Sequence, residues 1–169
     1  MDLKSKIILI SGPTASGKSK AALKIAKKLN GEIINADSMQ VYKELKILTA
    51  RPSKTDLNKI DHHLYGFRSV KKEFSSGEWL KLAKKNIKKI RDKNKIPVLV
   101  GGTGLYFKAL TDGLVKIPKI PISVRDKIRR MQNKLGQKKF YLKLLNNDPL
   151  VKNKIDPTDV QRSIRAYEV

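Results

Sequence analysis

The 169-residue sequence contains no cysteine and only two histidines, which are adjacent at His62 and His63. The absence of cysteine excludes a disulfide-stabilised scaffold and any metal site built on thiolates. Two histidines are too few for a histidine-based zinc centre unless carboxylates join them. No apolar run approaches the ~20 residues that span a bilayer. The N-terminal run KIILI is also shorter than the apolar part of a signal peptide, so we expect a cytoplasmic protein.

Acidic residues are scarce: 15 Asp and Glu stand against 38 Lys and Arg, which gives a formal net charge of +23. Such an excess favours a polyanionic partner, because basic side chains displace the counterions condensed on phosphate backbones. Lysine enrichment is equally typical of a genome rich in A and T, so charge alone leaves nucleic-acid binding open. Arginine is more informative because it makes bidentate phosphate contacts. Five arginines lie in the last third of the chain: Arg125, Arg129, Arg130, Arg162 and Arg165.

Hydrophobic patterning predicts one α/β core over residues 1–114. Buried apolar runs bounded by turn residues indicate strands, and apolar positions three and four apart indicate helices. The alternation of the two implies parallel strands with right-handed connections. Between them, residues 38–75 are irregular, with one or two short helices expected. The predicted strands are 6–10, 32–35 and 97–100, and the predicted helices are 18–29, 76–93 and 105–110.

The composition changes after residue 114. The run VKIPKIPIS at 115–123 contains two prolines and is typical of a linker. Beyond it, residues 115–169 are predicted to form a basic helical appendage, with Pro157 and Thr158 starting its last helix. The sequence stops inside that helix, so we expect it to be part of a longer chain. The predicted helices are 124–135, 139–146 and 158–168.

One glycine-rich segment carries a complete phosphate-binding pattern. It follows the first predicted strand, opens the first helix and fits G-x-x-x-x-G-K-[ST]. Its glycines let backbone N–H groups turn toward an anion, the helix N-terminus adds its dipole, and the final serine can ligate Mg²⁺. The fold class is therefore a P-loop NTPase-like parallel sheet flanked by helices. The residues of the pattern are Gly12, Pro13, Thr14, Ala15, Ser16, Gly17, Lys18 and Ser19.

A single carboxylate, Asp37, follows the second predicted strand. Ligands of α/β sheets bind at the carboxyl ends of the strands, so an acid there can serve as a general base beside the phosphate loop. A loop or helix-capping role is the alternative. The strand ending at Val100 is followed by glycines rather than by the acid that holds Mg²⁺ in many NTPases. These features indicate a transferase and leave a small-molecule kinase and a diphosphate-leaving alkyl transferase both open.

The chain as a whole resembles the tRNA dimethylallyltransferases, also called tRNA isopentenyltransferases. The resemblance extends from Ile7 to Val169, and its NADSMQVY and GGTGLYFKAL stretches are quite specific to that family. It implies transfer of a dimethylallyl group from dimethylallyl diphosphate to N6 of the adenine 3′-adjacent to the anticodon, with release of pyrophosphate. The stretches are GPTASGKS, INADSMQVYKELKILTARPS, HHLYGF, PVLVGGTGLYFKAL and DPTDVQRSIRAYEV.

The resemblance also implies roles for residues. The phosphate-loop residues are expected to bind the diphosphate, with Mg²⁺ on Ser19, and Asp37 is expected to be the general base. The target adenine is expected to flip into a channel, and the helical appendage to grip the anticodon stem-loop of tRNA. We expect a monomer. Expected tRNA contacts are Asp37, Ser38, Met39, Gln40, Thr103, Arg125, Gln161, Arg162, Ser163, Ile164 and Arg165.

The sequence departs from the family pattern just after Asp37. The family usually has glycine at the positions of Glu44 and Leu48 and an acid at that of Lys46. If those glycines adopt positive φ, the replacements strain the segment. His62 and His63 are expected to pack in a loop or contact RNA rather than bind metal. Two other functions stay open: a P-loop kinase for a small-molecule acceptor, and a basic fragment that binds RNA without turnover.

Overall fold

The computed structural model of the chain describes residues 6–115, 117 and 120–169. They belong to two compact units, Met1–Leu114 and Val115–Val169. In the described part of the chain, no helix combines the length and the apolar character needed to cross a membrane.

The first unit is a four-stranded parallel sheet flanked by helices, in the strand order β1-β4-β2-β3. The three predicted strands and three predicted helices of this unit are confirmed to within two residues at each end. Its strands are β1 Ile8–Ser11, β2 Gly31–Asn35, β3 His62–His63 and β4 Ile96–Gly101. Its helices are α1 Lys18–Lys28, α2 Lys54–Lys59, α3 Ser76–Asp92 and α4 Gly104–Thr111.

The prediction of a three-stranded sheet was wrong, because the histidine pair forms a fourth strand. His62 and His63 pair in parallel with Ile33 and Ile34 at the sheet edge, rather than packing in a loop. Two residues are too short for an alternating pattern to be recognised. The prediction of short helices in this region is confirmed by α2, which Ser53 caps by accepting a hydrogen bond from the Asp56 backbone N–H.

The sheet is buried on both faces, as its parallel strands require. Ile33 and Val98 pack with Ala22 and Ala26 of α1. Neighbouring residues in the same strands point the opposite way and pack against α3, where Trp79 is fully buried. Burial of both faces explains why β4 and the centre of β2 are apolar. Because the strands are parallel, their carboxyl ends meet at one edge of the sheet.

One charged side chain, Glu32, is fully buried at the start of β2. Its carboxylate accepts hydrogen bonds from His63 Nε2 at 2.7 Å, Lys93 Nζ at 3.0 Å and Lys95 Nζ at 2.8 Å. Burial works against ionisation of the carboxyl, but these hydrogen bonds outweigh it and lower the pKa from 4.5 to about 2. A buried carboxylate is tolerated here because each of its oxygens is paired.

Strand β4 ends in direct contact with the chain that leaves β2. A Cβ atom at Gly101 would lie 2.1 Å from the carbonyl carbon and oxygen of Ala36 and 2.7 Å from the backbone nitrogen of Asp37. The backbone N–H of Ala36 also donates to the Val100 carbonyl at 2.8 Å. Glycine is therefore required for close approach of two backbones, the role that it often has at a strand end.

The second unit is helical, as predicted. Its longest helix, α5 Ile122–Asn147, is broken at Gly136, whose φ of 69° is not helical, so the predicted division between 135 and 139 is confirmed. The predicted linker at 115–123 lies partly outside the described residues, and its last two residues already belong to α5. A short 3₁₀ helix and α6 follow. They span Pro149–Asn153 and Val160–Glu168.

The last predicted helix is confirmed, but it begins at Val160, two residues after the predicted start at Thr158. The side chain of Asp156 accepts from the Thr158 backbone N–H at 2.7 Å and holds this residue in a turn. Asp159 is the actual N-cap, and it accepts from the Arg162 backbone N–H at 2.9 Å. Two capping aspartates lie close together in the sequence, and the second one begins α6.

Replacing Glu32 tests the buried charge cluster. Glu32→Gln removes the charge that accepts hydrogen bonds from His63 and from two partly exposed lysines, so we expect the free energy of unfolding at pH 7 to fall by about 1–3 kcal/mol. Because the folded pKa is depressed, the stabilisation is present above the ordinary pKa of 4.5 and is lost as the pH falls toward 2. Urea unfolding at pH 7 and at acid pH measures both effects. The exposed Asp92→Asn is the matched control, with a change within about 0.5 kcal/mol. An equal loss in both variants would contradict the assignment.

Replacing Gly101 tests the close approach between the strand ends. Gly101→Ala places a methyl group against backbone atoms, which cannot move aside as a side chain can, so we expect a loss of about 1–3 kcal/mol in urea unfolding. Gly104→Ala is the control, because a Cβ there meets nothing within 4 Å. A Gly101→Ala protein as stable as the Gly104→Ala protein would show that the contact is absent in solution.

Candidate functional site

The phosphate loop joins β1 to α1 at the carboxyl edge of the sheet. Gly17 caps α1 with a left-handed φ of 77°, and Ala15 also has a positive φ of 63°. The Lys18 ammonium donates a hydrogen bond to the Pro13 carbonyl across the loop. The loop thus curls around its own lysine at a helix N-terminus, which is the geometry of an anion site.

Asp37 lies at the same edge, directly after β2. Its Oδ1 accepts from the backbone N–H groups of Met39 at 2.8 Å and Gln40 at 3.4 Å. One oxygen of Asp37 therefore has the loop-capping role that the sequence analysis gave as the alternative to a general base. The other oxygen, Oδ2, lies on the side of Gly102, where an added Cβ would be 3.9 Å from Oδ2 and 3.4 Å from the Gly12 carbonyl oxygen. Asp37 and the start of the phosphate loop therefore flank the same glycine.

Asn35 holds the backbone of Asp37 in place, a role that the sequence analysis missed. Its side chain is fully buried. Its Oδ1 accepts from the Asp37 N–H at 2.9 Å, and its Nδ2 donates to the Asp37 carbonyl at 2.9 Å and to the Leu64 carbonyl at 3.0 Å. The Asn35 carbonyl in turn accepts from the Trp79 indole at 2.9 Å. The sequence offered one indication: an amide directly after the apolar pair Ile33 and Ile34, at the end of the strand.

Two of the predicted tRNA contacts bind each other behind Asp37. The Thr103 hydroxyl accepts from the Ser38 backbone N–H at 2.9 Å and donates to the Ser38 hydroxyl at 3.3 Å. The Thr103 N–H donates to the Ala36 carbonyl at 3.2 Å. Through these bonds the GGTG turn after β4 fastens the segment that carries the carboxylate.

A cleft of about 680 Å³ opens between the phosphate loop and Asp37. The loop side is polar, whereas the opposite wall is largely apolar. Gly12 and Pro13 lie outside the lining, and the other six residues of the phosphate pattern belong to it. The lining consists of residues 14–20 together with Asp37, Met39, Gln40, Leu45, Leu48, Thr49, Ala50, Tyr65, Val100 and Gly101.

The wall of the cleft includes the segment that departs from the family pattern. None of Glu44, Lys46 and Leu48 has a positive φ, so the expected backbone strain is absent at these positions. The Glu44 carboxylate accepts from the Ser69 hydroxyl at 2.9 Å, while Leu48 lines the cleft. The side chain of Gln40 holds the wall by donating to the Thr49 carbonyl at 2.7 Å.

The charge of Asp37 acts on two nearby tyrosines. Burial, and then the Asp37 carboxylate, raise the pKa of the Tyr65 phenol far above its ordinary value. Burial is also the main reason that the pKa of Tyr106 rises to about 12. Tyr106 stacks on Trp79 at 4.2 Å between ring centroids and is not among the cleft-lining residues. Both phenols therefore stay protonated at neutral pH.

The remaining predicted tRNA contacts belong to the second unit. Ser163 and Ile164 are buried there: the Ser163 hydroxyl donates to the Asp159 carbonyl, and Ile164 packs with Ile128 and Phe140. Only three side chains of the 161–165 run are exposed. These are Gln161, Arg162 and Arg165. Arg125, on α5, lies 4.0 Å from the Glu168 carboxylate.

Comparison with known proteins shows the family to which the chain belongs. The family model described as IPP transferase matches residues 40–169. The tRNA dimethylallyltransferase of Pelagibacter ubique is 66% identical over 169 residues, which are 100% of this chain and 54% of that protein. The enzyme of that name from Rickettsia massiliae is 50% identical over 96% of this chain and 45% of its own length. The chain thus spans about half the length of the curated relatives that it matches.

Solved structures give the same answer for the fold. A eukaryotic dimethylallyltransferase acting on tRNA matches 96% of this chain and 40% of its own, with a TM-score of 0.79 and 31% identity. The tRNA isopentenylpyrophosphate transferase of Bacillus halodurans matches 96% of this chain and 54% of its own, with a TM-score of 0.64 and 35% identity. The P-loop NTPase-like sheet is thereby confirmed. Because the family model extends over most of the sequence, the chain belongs to the IPP transferase family.

Proposed function

We propose that the protein transfers a dimethylallyl group from dimethylallyl diphosphate to N6 of the adenine 3′-adjacent to the anticodon of tRNA, and releases pyrophosphate. The observation that carries the proposal is a single cleft, whose lining includes Asp37, the anion-binding loop and an apolar wall. A diphosphate suits the loop, a five-carbon chain suits the wall, and an amine suits the carboxylate.

The residues divide the chemistry between the two ends of the substrate. The adenine amine is a poor nucleophile because its lone pair is delocalised into the ring. As the new C–N bond forms, Asp37 accepts the amine proton and so removes the developing positive charge. Cleavage of the C–O bond leaves its electron pair on the diphosphate. Lys18 and the loop N–H groups stabilise that charge.

A magnesium ion fits the proposed site through Ser19. Its hydroxyl lies in the first turn of α1 and lines the cleft. In the described part of the chain, no three His, Cys, Asp or Glu side chains come together as a metal site. Mg²⁺ commonly takes one or two protein ligands and completes its shell with water and substrate phosphates, so one serine beside a diphosphate suffices. The ion would neutralise the departing diphosphate.

The second unit supplies the proposed contacts with the anticodon stem-loop. Arg162 is 72% exposed and Arg165 is 44% exposed, so both can reach phosphates. The adenine must leave its stack to reach Asp37, and such flipping is the usual solution for enzymes that act on a base. Because the proposed substrates are tRNA and a small diphosphate, we place the protein in the cytoplasm and propose no contact with a membrane. We propose that it acts as a monomer.

A P-loop kinase is the second candidate for the same cleft. Strand β4, the neighbour of β1, ends at Gly101 rather than at an acid, so the carboxylate that often holds the Mg²⁺ of a nucleoside triphosphate is not at that position. Transfer of phosphate from labelled ATP to a small acceptor, together with indifference to prenyl diphosphate, would favour the kinase.

Replacing Asp37 tests the general base. Asp37→Asn retains an oxygen that can cap the turn but cannot take a proton, so we expect the rate of prenyl transfer to fall by about 10²–10⁴. The intact protein is incubated with labelled dimethylallyl diphosphate, Mg²⁺ and unmodified tRNA, and label in the tRNA is counted. The exposed Asp92→Asn is the control and should transfer at the wild-type rate. Equal labelling by both variants would refute the role of Asp37.

Replacing an exposed arginine tests the RNA contact of the second unit. Arg162→Gln removes one phosphate contact, so the slope of log K against log salt should become shallower by about one for tRNA binding. Lys27→Gln on α1 removes the same charge elsewhere and serves as the control. If both variants change the slope equally, binding follows overall charge instead of the 161–165 run. The Asp37→Asn protein should keep the wild-type salt slope, because Asp37 carries no positive charge that could neutralise a phosphate, and this separates phosphate binding from turnover.

A further inference from the structure

Tyr65 is a cleft residue for which the mechanism above has no use. It comes directly after β3, and hydrogen bonds fix the backbone on both sides of it. The Leu64 carbonyl accepts from the Asn35 side chain at 3.0 Å, and the Gly66 N–H donates to the Gln40 carbonyl at 2.9 Å. The amide that positions the backbone of Asp37 therefore also holds the backbone next to Tyr65.

The ring of Tyr65 is anchored while its hydroxyl remains without a partner. The ring meets the His62 ring edge-on, with 5.6 Å between centroids, and packs on the cluster that contains Ala22 and Val98. Within residues 6–115, no hydrogen bond is made by the Tyr65 hydroxyl. Tyr65 lines the cleft, and its hydroxyl is not among the buried unpaired polar atoms of the described residues, so it is open to the cleft, where a polar atom of a ligand can replace water as its partner.

The hydroxyl is available as a hydrogen-bond donor. Burial and the negative charge of Asp37 both raise its pKa, so the phenol keeps its proton at any pH at which the protein works. The cleft therefore presents a carboxylate, which accepts, beside a phenol, which donates. Adenine offers the complementary pair, because its N6 amine donates while the adjacent ring nitrogens N1 and N7 accept.

We propose that the Tyr65 hydroxyl donates a hydrogen bond to a ring nitrogen of the acceptor adenine, beside the amine that Asp37 deprotonates. The inference rests on the proposed function and adds to it a residue that selects the base. Guanine presents an acceptor, O6, where adenine has its amine. It would therefore set an oxygen against the Asp37 carboxylate, and a mismatch of this kind gives strong discrimination.

The test removes the hydroxyl and the ring nitrogens separately. Tyr65→Phe keeps the ring against His62, and Tyr106→Phe deletes a second phenol that lies near Asp37 but outside the cleft lining. The intact protein and both variants are assayed on anticodon stem-loops that carry adenosine, 1-deazaadenosine or 7-deazaadenosine at the acceptor position. The kcat/KM for RNA and the KM for dimethylallyl diphosphate are measured with each.

We expect Tyr65→Phe to lower kcat/KM for the adenosine stem-loop about tenfold, the value of one hydrogen bond of about 1.4 kcal/mol. The KM for dimethylallyl diphosphate should stay unchanged, and Tyr106→Phe should behave as the wild type. With the wild type, one of the two deaza stem-loops should show a similar, about tenfold, decrease in kcat/KM. With Tyr65→Phe, kcat/KM for that stem-loop should not decrease any further than for the adenosine stem-loop. Such non-additivity identifies the hydroxyl and that nitrogen as partners.

Three outcomes would overturn the inference while the proposed function stands. Tyr65→Phe could transfer at the wild-type rate, its effect could add fully to that of both deaza substitutions, or it could raise the KM for dimethylallyl diphosphate. The last result would assign the hydroxyl to the diphosphate. A wild-type protein that prenylates no stem-loop overturns the proposed function itself, and the inference with it.

Discussion

The contact between Gly101 and the Ala36–Asp37 peptide is the constraint on which the rest of the site depends. With a Cβ only 2.1 Å from the Ala36 carbonyl, no residue other than glycine lets the end of β4 come so close to the end of β2. The GGTG turn can then reach around Ala36 and bind Ser38 through Thr103. Because β4 also pairs with β1, the same strand brings the phosphate loop to the carboxylate.

Two carboxylates, one near the start of β2 and one just after its end, have different surroundings that suit them to different tasks. Glu32, near the start of the strand, is buried and accepts hydrogen bonds from two lysines and a histidine. Both of its oxygens are therefore paired with cationic or N–H groups within the protein. Asp37 lies just past the other end and lines an open cleft. One of its oxygens accepts hydrogen bonds from two backbone N–H groups. A carboxylate with a free oxygen at the ligand-binding edge can accept a proton, whereas a fully paired one in the core cannot.

The fold alone would not distinguish a prenyl transferase from a kinase, because the same loop and sheet hold many diphosphate-containing ligands. The features that favour the proposed prenyl transfer surround the loop: glycines instead of an acid after β4, a wall with leucines, and a carboxylate supported by Asn35. Asn35 links that carboxylate to Tyr65 through the Leu64 carbonyl. One hydrogen-bond network thus holds the backbone on this side of the cleft, and the proposed base catalysis needs such preorganisation.

The sequence by itself determined the phosphate loop, the core strands and helices, and the place of Asp37 after β2, because each of these depends on local patterns of apolar, glycine and charged residues. It also indicated the division near residue 114 through a change of composition. The tertiary structure alone decided the strand formed by His62 and His63, which exists only by pairing with β2. It likewise decided the choice of Asp159 as the N-cap of α6, the hydrogen bonds from Asn35 to the backbone of Asp37, and the burial of Ser163 and Ile164. Contacts between residues distant in the chain, or competition between neighbouring caps, fix these features, and no periodicity in the sequence records them.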